Sequence, residues 1–296
     1  MVIVRLMGGI GNQLFQYAFG RQVALRKLCK LKIDISWFNE NFKKITPRKF
    51  ELDKFNIPFV CATEKEISKE KGEDRTGLSK SLFYRIQNLK PYYKKNVVIE
   101  KSLQYDNKIY NNPRSAYYMG YWQTEKYFYN IKDVLLKEFT LKKNIEGKTC
   151  EILKLINQTV SVSLHIRRGD YISNPTFKEV YCEVGMLYFN KAIQHFLKIN
   201  NKTVFFLFSD DLQWAKENFK GDNYIFIDEE DAAISLYLMS KCKHNITCNS
   251  TFSWWGAWLN TNNDKIIITP ERWFKKVEMY SKDLIPENWI LLKNEY

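Results

Sequence analysis

The sequence predicts an α/β protein of two Rossmann-like domains facing across a cleft. Three observations carry this prediction. From about residue 160 onward, short apolar and β-branched runs alternate with segments of helical spacing, which implies a parallel sheet with helices on both faces. The N-terminus shows the same theme as strand, glycine turn, helix and strand. A chain of 296 residues is also long for one compact core and comfortable for two α/β domains of ordinary size.

Composition narrows the class. A hydrophobic content of 45% with 16% aromatic residues argues for a packed globular chain and against disorder. The net charge of +13, from 46 Lys+Arg against 33 Asp+Glu, suits an anionic partner: a nucleotide-sugar phosphate, a nucleic acid or an acidic membrane face. The lysines look scattered, and mixed-sign runs such as Glu64-Lys65-Glu66 read as solvated surface. No basic stripe or RNA-binding motif favours a nucleic acid. No run of about 18 apolar residues is present, which excludes a spanning helix. Met1–Met7 is too short, and too soon followed by glycine, to read as a signal peptide. The six cysteines form no C-x-x-C pair and no metal-ligand spacing. Reduced, core-filling cysteines and a cytoplasmic location follow as expectations.

In chain order, residues 2–6 read as a strand that ends in the Gly8-Gly9-Ile10-Gly11 turn. A helix follows from Asn12 to about Leu28, then a strand over Leu31–Ile35. With Asp34 this resembles a dinucleotide fingerprint, but Leu14 stands where a third glycine would let helix and strand pack closely, which argues against NAD. Gly9 and Gly11 instead read as a loop whose missing side chains let a sugar or phosphate approach the backbone at a helix N-terminus. Asn12 either caps that helix or contacts sugar hydroxyls, to which it can both donate and accept.

From Ser36 to Lys95 the pattern is irregular, with Pro47, Pro58 and Pro91; Leu78–Leu89 is its clearest helix. A strand is expected at 97–99. An extended aromatic run covers Ala116–Gln123, its rings suited to stacking on a sugar but more commonly packed in a core, and a helix covers Glu125–Phe139. The polar Leu141–Lys148 segment marks the boundary between domains 1–148 and 149–296. Beyond it, strands are predicted at 160–166, 203–209, 224–228, 245–249 and 265–269. Helices are predicted at about 186–198, 212–219, 231–242 and 252–261.

The strand ends of the second domain carry the polar chemistry, and in α/β proteins ligands sit outside the carboxyl ends of strands. The run Val160–Ile166 breaks into Arg167-Arg168-Gly169-Asp170. Two arginines offer forked, permanently charged donors that match phosphate oxygens; Gly169 permits a tight turn and Asp170 can steady a guanidinium. The plainer alternative is a surface ion cluster. Thr203–Phe208 ends in Ser209-Asp210-Asp211, which leaves three options. The carboxylates can hold Mg2+, one can accept bidentately from guanine, or Asp211 can cap the next helix. His244–Asn249 runs into Ser250-Thr251-Phe252-Ser253, a capping signature and a possible phosphate site at a helix start. Trp254 and Trp255 are expected to pack against the sheet, and His195 and His244 to be structural.

His165-Ile166-Arg167-Arg168-Gly169-Asp170-Tyr171 resembles the H-x-R-R-G-D-Y signature of the bacterial α-1,2-fucosyltransferases, glycosyltransferase family 11. Gly8–Ala18, Gly120-Tyr121-Trp122-Gln123 and Asn249–Trp255 resemble further motifs of that family, in family order across most of the chain. The resemblance implies the GT-B architecture and inverting transfer of L-fucose from GDP-β-L-fucose to the 2-hydroxyl of a galactose. It implies no metal and no other cofactor. The acceptor would be a galactose-terminated glycan or lipid-linked oligosaccharide of surface-polysaccharide or O-antigen synthesis, met at the cytoplasmic face of the inner membrane. Within this scheme Arg167 takes the β-phosphate, helped by the helix start at Ser250, Thr251, Phe252 and Ser253. Arg168 and Asp170 organise the loop, and His165 turns to the base or ribose. One of Asp210 and Asp211 reads guanine and the other caps. Asn12 acts in transfer, because every nucleotide feature lies after residue 160. The general base is unassigned, with Asp170 one candidate. The rival readings are an α-1,3 or α-1,6 linkage and a basic nucleic-acid-binding protein.

Overall fold

The structure, a computed structural model, describes residues 1–40, 47–112, 115–169, 174–276, 279 and 282–294. The chain forms two compact units, Met1–Phe139 with Ser281–Pro286, and Thr140–Tyr280 with Glu287–Tyr296. Each is built on its own parallel sheet, so the predicted α/β class is the one the chain adopts.

The first unit contains β1 (Val2–Arg5), α1 (Ile10–Arg26), β2 (Leu31–Asp34), α2 (Glu64–Lys71), α3 (Gly77–Leu89), β3 (Val97–Ile99), β4 (Ala116–Met119) and α4 (Lys132–Glu138). Its strand order is β2-β1-β4-β3, with every pairing parallel. α1 is buried on most of its surface, with Leu14, Phe15, Phe19 and Val23 in the core. It begins at Ile10, earlier than predicted, because Gly9 supplies the extended N-cap conformation without any side-chain cap. The helix expected over 125–139 shortens to α4, preceded by two 3-10 turns.

The second unit contains α5 (Lys148–Gln158), β5 (Val160–Ile166), α6 (Pro175–Val180), α7 (Met186–Ile199), β6 (Thr203–Ser209), α8 (Leu212–Asn218) and β7 (Tyr224–Ile227). It continues with α9 (Ala232–Lys241), β8 (His244–Ile246), α10 (Thr251–Trp258), β9 (Ile267–Pro270) and β10 (Ile290–Leu292). The order is β10-β9-β8-β5-β6-β7, again parallel throughout. Alternation along β6 sends Phe205 and Leu207 to one face, where they meet Tyr188, Phe189, Ile193 and Phe196 of α7. Phe206 and Phe208 go to the other, where they meet Ile152 and Ile156 of α5 and Leu238 and Met239 of α9. Trp254 and Trp255 are buried, as predicted.

The unit boundary falls at Phe139/Thr140, ahead of the 148/149 position that composition suggests. The polar stretch groups with the second unit; within it Ile145 O accepts from Cys150 Sγ at 3.2 Å, and just after it Thr149 Oγ1 donates to Glu229 Oε2 at 3.2 Å.

The topology places the sites. From β5 the chain moves outward to β6 and β7, then returns to the other side of β5 for β8. In the first unit it moves from β1 to β2 and returns through β3 to β4 on the far side of β1. Such reversals open a crevice at the carboxyl ends of the two flanking strands.

Candidate functional site

At the carboxyl end of β5, register fixes the first relationship. Ile166 pairs with Ser209, so the residues that follow, Arg167 and Asp210, leave the sheet side by side. Arg167 Nη1 lies 3.0 Å from Asp210 Oδ2, and Arg168 N donates to Asp210 Oδ1 at 2.9 Å. The Arg168 guanidinium lies over the Trp214 ring, 3.9 Å from its centroid, with Nε 3.4 Å from Asp211 Oδ2. Asp211 Oδ1 accepts from Trp214 N at 3.1 Å and so caps α8. Of the options for the two aspartates, capping is realised at Asp211, while Asp210 is engaged by Arg167 and the Arg168 backbone. Neither carboxylate stands clear of the arginines as a metal pair would. Among the described residues no cluster of three or more metal-ligating side chains forms. Gly169 leaves room for the Asp210 carboxylate as it is placed: a Cβ on it would lie 2.5 Å from Asp210 Oδ2. Asp170, assigned to loop organisation and a candidate base, and Tyr171 lie outside the described residues.

Across the switch point, β8 leads into the start of α10. Ser250 Oγ accepts from Phe252 N at 3.3 Å, and Ser253 Oγ donates to Ser250 O and accepts from Cys248 N, each at 3.3 Å. Both serine hydroxyls are therefore turned to backbone, and the capping signature is real. What such a helix start offers a ligand is its early N–H groups and its dipole, more than its hydroxyls. Thr251 and Phe252 are half-buried. Asn249 pins the turn, its Nδ2 donating to Cys182 O at 2.7 Å and Trp273 O at 3.2 Å.

His165 lies inside the sheet between these two edges. Its Nδ1 is 3.0 Å from Cys248 Sγ and its ring packs at 5.2 Å from that of Phe252. Burial, reinforced by the Arg167 charge, pushes its pKa down to about 3, and burial pushes the Cys248 thiol up to about 12. Both groups are neutral near pH 7. His244 accepts from Ile266 N at 3.0 Å and stacks on Phe196, a structural role as predicted.

The first unit's switch point carries a second constellation. The turn after β1 takes its left-handed conformation at Gly8 (φ 78°), not at Gly9 or Gly11. Gly9 is the extended N-cap and Gly11 is buried in the first turn of α1. Asn12 does not cap α1, which corrects that alternative: it sits inside the helix, and its Oδ1 accepts from Gln123 Nε2 at 3.0 Å. The N-terminal motif and the Gly120–Gln123 motif thus meet in space.

A residue without a sequence signal organises this edge. Glu100, just after β3, accepts from Tyr121 N at 2.6 Å and Trp122 N at 3.0 Å. Burial pushes its carboxyl up to about 7 against those two hydrogen bonds. The bonds hold Trp122 at φ 56°, a sparsely populated conformation for a bulky residue, with its ring stacked 4.0 Å from Phe19.

Comparison with known proteins shows the family. The model of Glycosyl transferase family 11 matches residues 73–293. The chain is 35% identical over 303 residues to the alpha-1,2-colitosyltransferase of Escherichia coli, covering 99% of both chains. It is 36% identical to the O-antigen biosynthesis glycosyltransferase WbnK of Escherichia coli, covering 91% of this chain and 93% of that one. It is 28% identical to galactoside alpha-(1,2)-fucosyltransferase 2 of Rattus norvegicus over 58% of this chain and 52% of that one. Among solved structures, a mutant of Arabidopsis thaliana FUT1 in complex with GDP aligns at 12% identity and TM-score 0.48, covering 95% of this chain and 74% of that one. Carrying the four motifs, and matched by the family model over most of its length, the chain belongs to glycosyl transferase family 11.

Proposed function

We propose that this glycosyltransferase moves L-fucose from GDP-β-L-fucose to the 2-hydroxyl of a galactose, inverting the anomeric centre, in O-antigen or related surface-polysaccharide synthesis. One observation carries the reading: Arg167, held by Asp210, follows β5 where the strand order reverses, and β5 pairs with β8, the strand that leads into α10. That is where an α/β unit binds a diphosphate. The E. coli O-antigen relative and the rat galactoside enzyme support the acceptor class.

In the reaction the fucose C1–O bond to the β-phosphate breaks and a new C1–O bond forms from the opposite face, giving the α-linked product. The acceptor's 2-hydroxyl proton passes to a base that remains unassigned. GDP gathers negative charge as it leaves, and the Arg167 fork and the α10 dipole stabilise it, with no divalent metal required. Guanine pairing at Asp210 would need both its oxygens turned away from Arg167 and Arg168, so this reading gives Asp210 the task of aiming Arg167. His165, neutral and buried, supports the strand end from behind. The second unit binds GDP, and the Asn12–Gln123 edge of the first serves the acceptor or the transferring sugar.

A second reading concerns the donor. The near-full-length match to a colitosyltransferase favours colitose, which is L-fucose lacking the 3-hydroxyl. The test is to offer GDP-L-fucose and GDP-L-colitose separately with a panel of galactosides and to determine the product linkage by NMR. Fucose at galactose O2 supports the first reading, colitose alone the second, and attachment at another oxygen overturns the linkage.

A further inference from the structure

Helix α3 is packed inside out. Its buried residue is polar: Gln87 donates through Nε2 to Asn96 Oδ1 at 2.9 Å and accepts from Asn96 N at 2.8 Å. The side away from Gln87 carries Leu78, Leu82, Ile86 and Leu89, which are 90%, 58%, 47% and 87% exposed. Their spacing confines them to an arc of about 80° on a helix turning 100° per residue. An outward apolar stripe this continuous marks a surface that is covered in use.

The charge around it identifies the cover. From Arg75 to Ile99 the chain contains Arg75, Lys80, Arg85, Lys90, Lys94 and Lys95, and no aspartate or glutamate. These six of the chain's 46 Lys+Arg lie on and beside the helix with no acid among them, and Glu73, Asp74 and Glu100 stand just outside the stretch. A second copy of the chain would bring two identical basic surfaces together, and the repulsion disfavours it. An anionic bilayer meets both features, since acyl chains take the leucines and lipid phosphates take the flanking Lys and Arg. Among the described residues no helix is long and apolar enough to cross a membrane.

We propose that α3 docks the protein on an anionic membrane surface, lying in the interface plane with Leu78, Leu82, Ile86 and Leu89 inserted. Surface docking would bring the protein to a lipid-linked acceptor, yet the inference does not depend on which sugar is moved. The test is flotation of the full chain with vesicles of phosphatidylglycerol and phosphatidylethanolamine, beside vesicles of phosphatidylcholine alone. The wild type should float with the anionic vesicles, release at high salt and largely ignore the neutral ones. Leu78→Ser/Leu82→Ser/Leu89→Ser should lose about tenfold or more of that binding with its melting temperature unchanged, because these side chains support no core. Its transfer to a soluble galactoside should be unaltered, so failed docking and a wrong activity give different results. The proposal falls if wild type stays unbound to anionic vesicles, or if the triple variant floats equally well. It falls equally if sedimentation shows a wild-type dimer that the triple substitution splits.

Discussion

Arg167 Nη1 and Asp210 Oδ2 lie 3.0 Å apart at the ends of neighbouring strands, bridging positions 43 residues apart in sequence. The contact fixes one edge of the guanidinium and thereby the direction of the rest of the fork. A lysine in its place keeps the charge and the ion pair but loses the planar, two-pronged contact. Arg167→Lys should lower kcat/KM for GDP-fucose by on the order of a hundredfold, or about 3 kcal/mol of transition-state stabilisation. Near-normal turnover would place the diphosphate elsewhere.

Gly169→Ala tests the same contact from its other side. The added methyl meets only the tip of the Asp210 carboxylate, which can rotate away, so folding should be nearly unaffected. Rotation breaks the hold on Arg167, and kcat/KM should fall about tenfold with unchanged melting. Equal loss of melting temperature and activity would reduce Gly169 to a folding residue.

Asp210 and Asp211 are both engaged by arginine, which leaves them poorly placed as metal ligands. Transfer should therefore persist in EDTA and respond little to Mg2+ or Mn2+. Loss of turnover in chelator, restored by either ion, would return the two aspartates to the metal.

Asn12 is bonded across to Gln123 and is not the N-cap of α1, so its truncation does not remove that helix's cap. Asn12→Ala should melt nearly as wild type and bind GDP normally in calorimetric titration. Turnover should fall at least about tenfold, or about 1.4 kcal/mol. Weakened GDP binding would move this edge into the nucleotide site.

Glu100 gives a pH signature. A carboxyl raised from the ordinary 4.5 to about 7 holds its proton more tightly when folded. That contribution to stability is fully present below pH 4.5 and is lost as pH rises through 7. Wild type should therefore lose stability between pH 5 and pH 8 relative to Glu100→Gln, measured by urea unfolding at each pH. Parallel pH profiles would show that the carboxyl ionises normally.

The fold and the placing of the strand-end motifs were legible because each rests on local pattern. β5, β6 and α7 fall almost where hydrophobic periodicity puts them. Contacts set by register were not legible: nothing local to Arg167 announces Asp210, and no residue type announces φ 56° at Trp122. Glu100 resembles any surface acid until β4 and Gly120 close over it. β10 escaped notice because three half-exposed apolar residues carry too little signal. In α3, periodicity reveals an apolar face but not which way it points, and the direction is what distinguishes a docking helix from a core helix.

The segment Ser281–Pro286 belongs to the first unit although the second lies between it and Phe139 in sequence. Its Asp283 accepts from Tyr105 N at 3.0 Å and from Lys126 Nζ at 2.6 Å, bonds that hold its pKa below the ordinary value despite burial. On the ribosome, the unit that is begun first thus stays incomplete until the second is almost made. Nearly all of the second unit emerges while the first still lacks this carboxylate, and the chain then returns to lay β10 on the second sheet. No single cut separates the two units with both whole, and a message truncated ahead of Ser281 damages both.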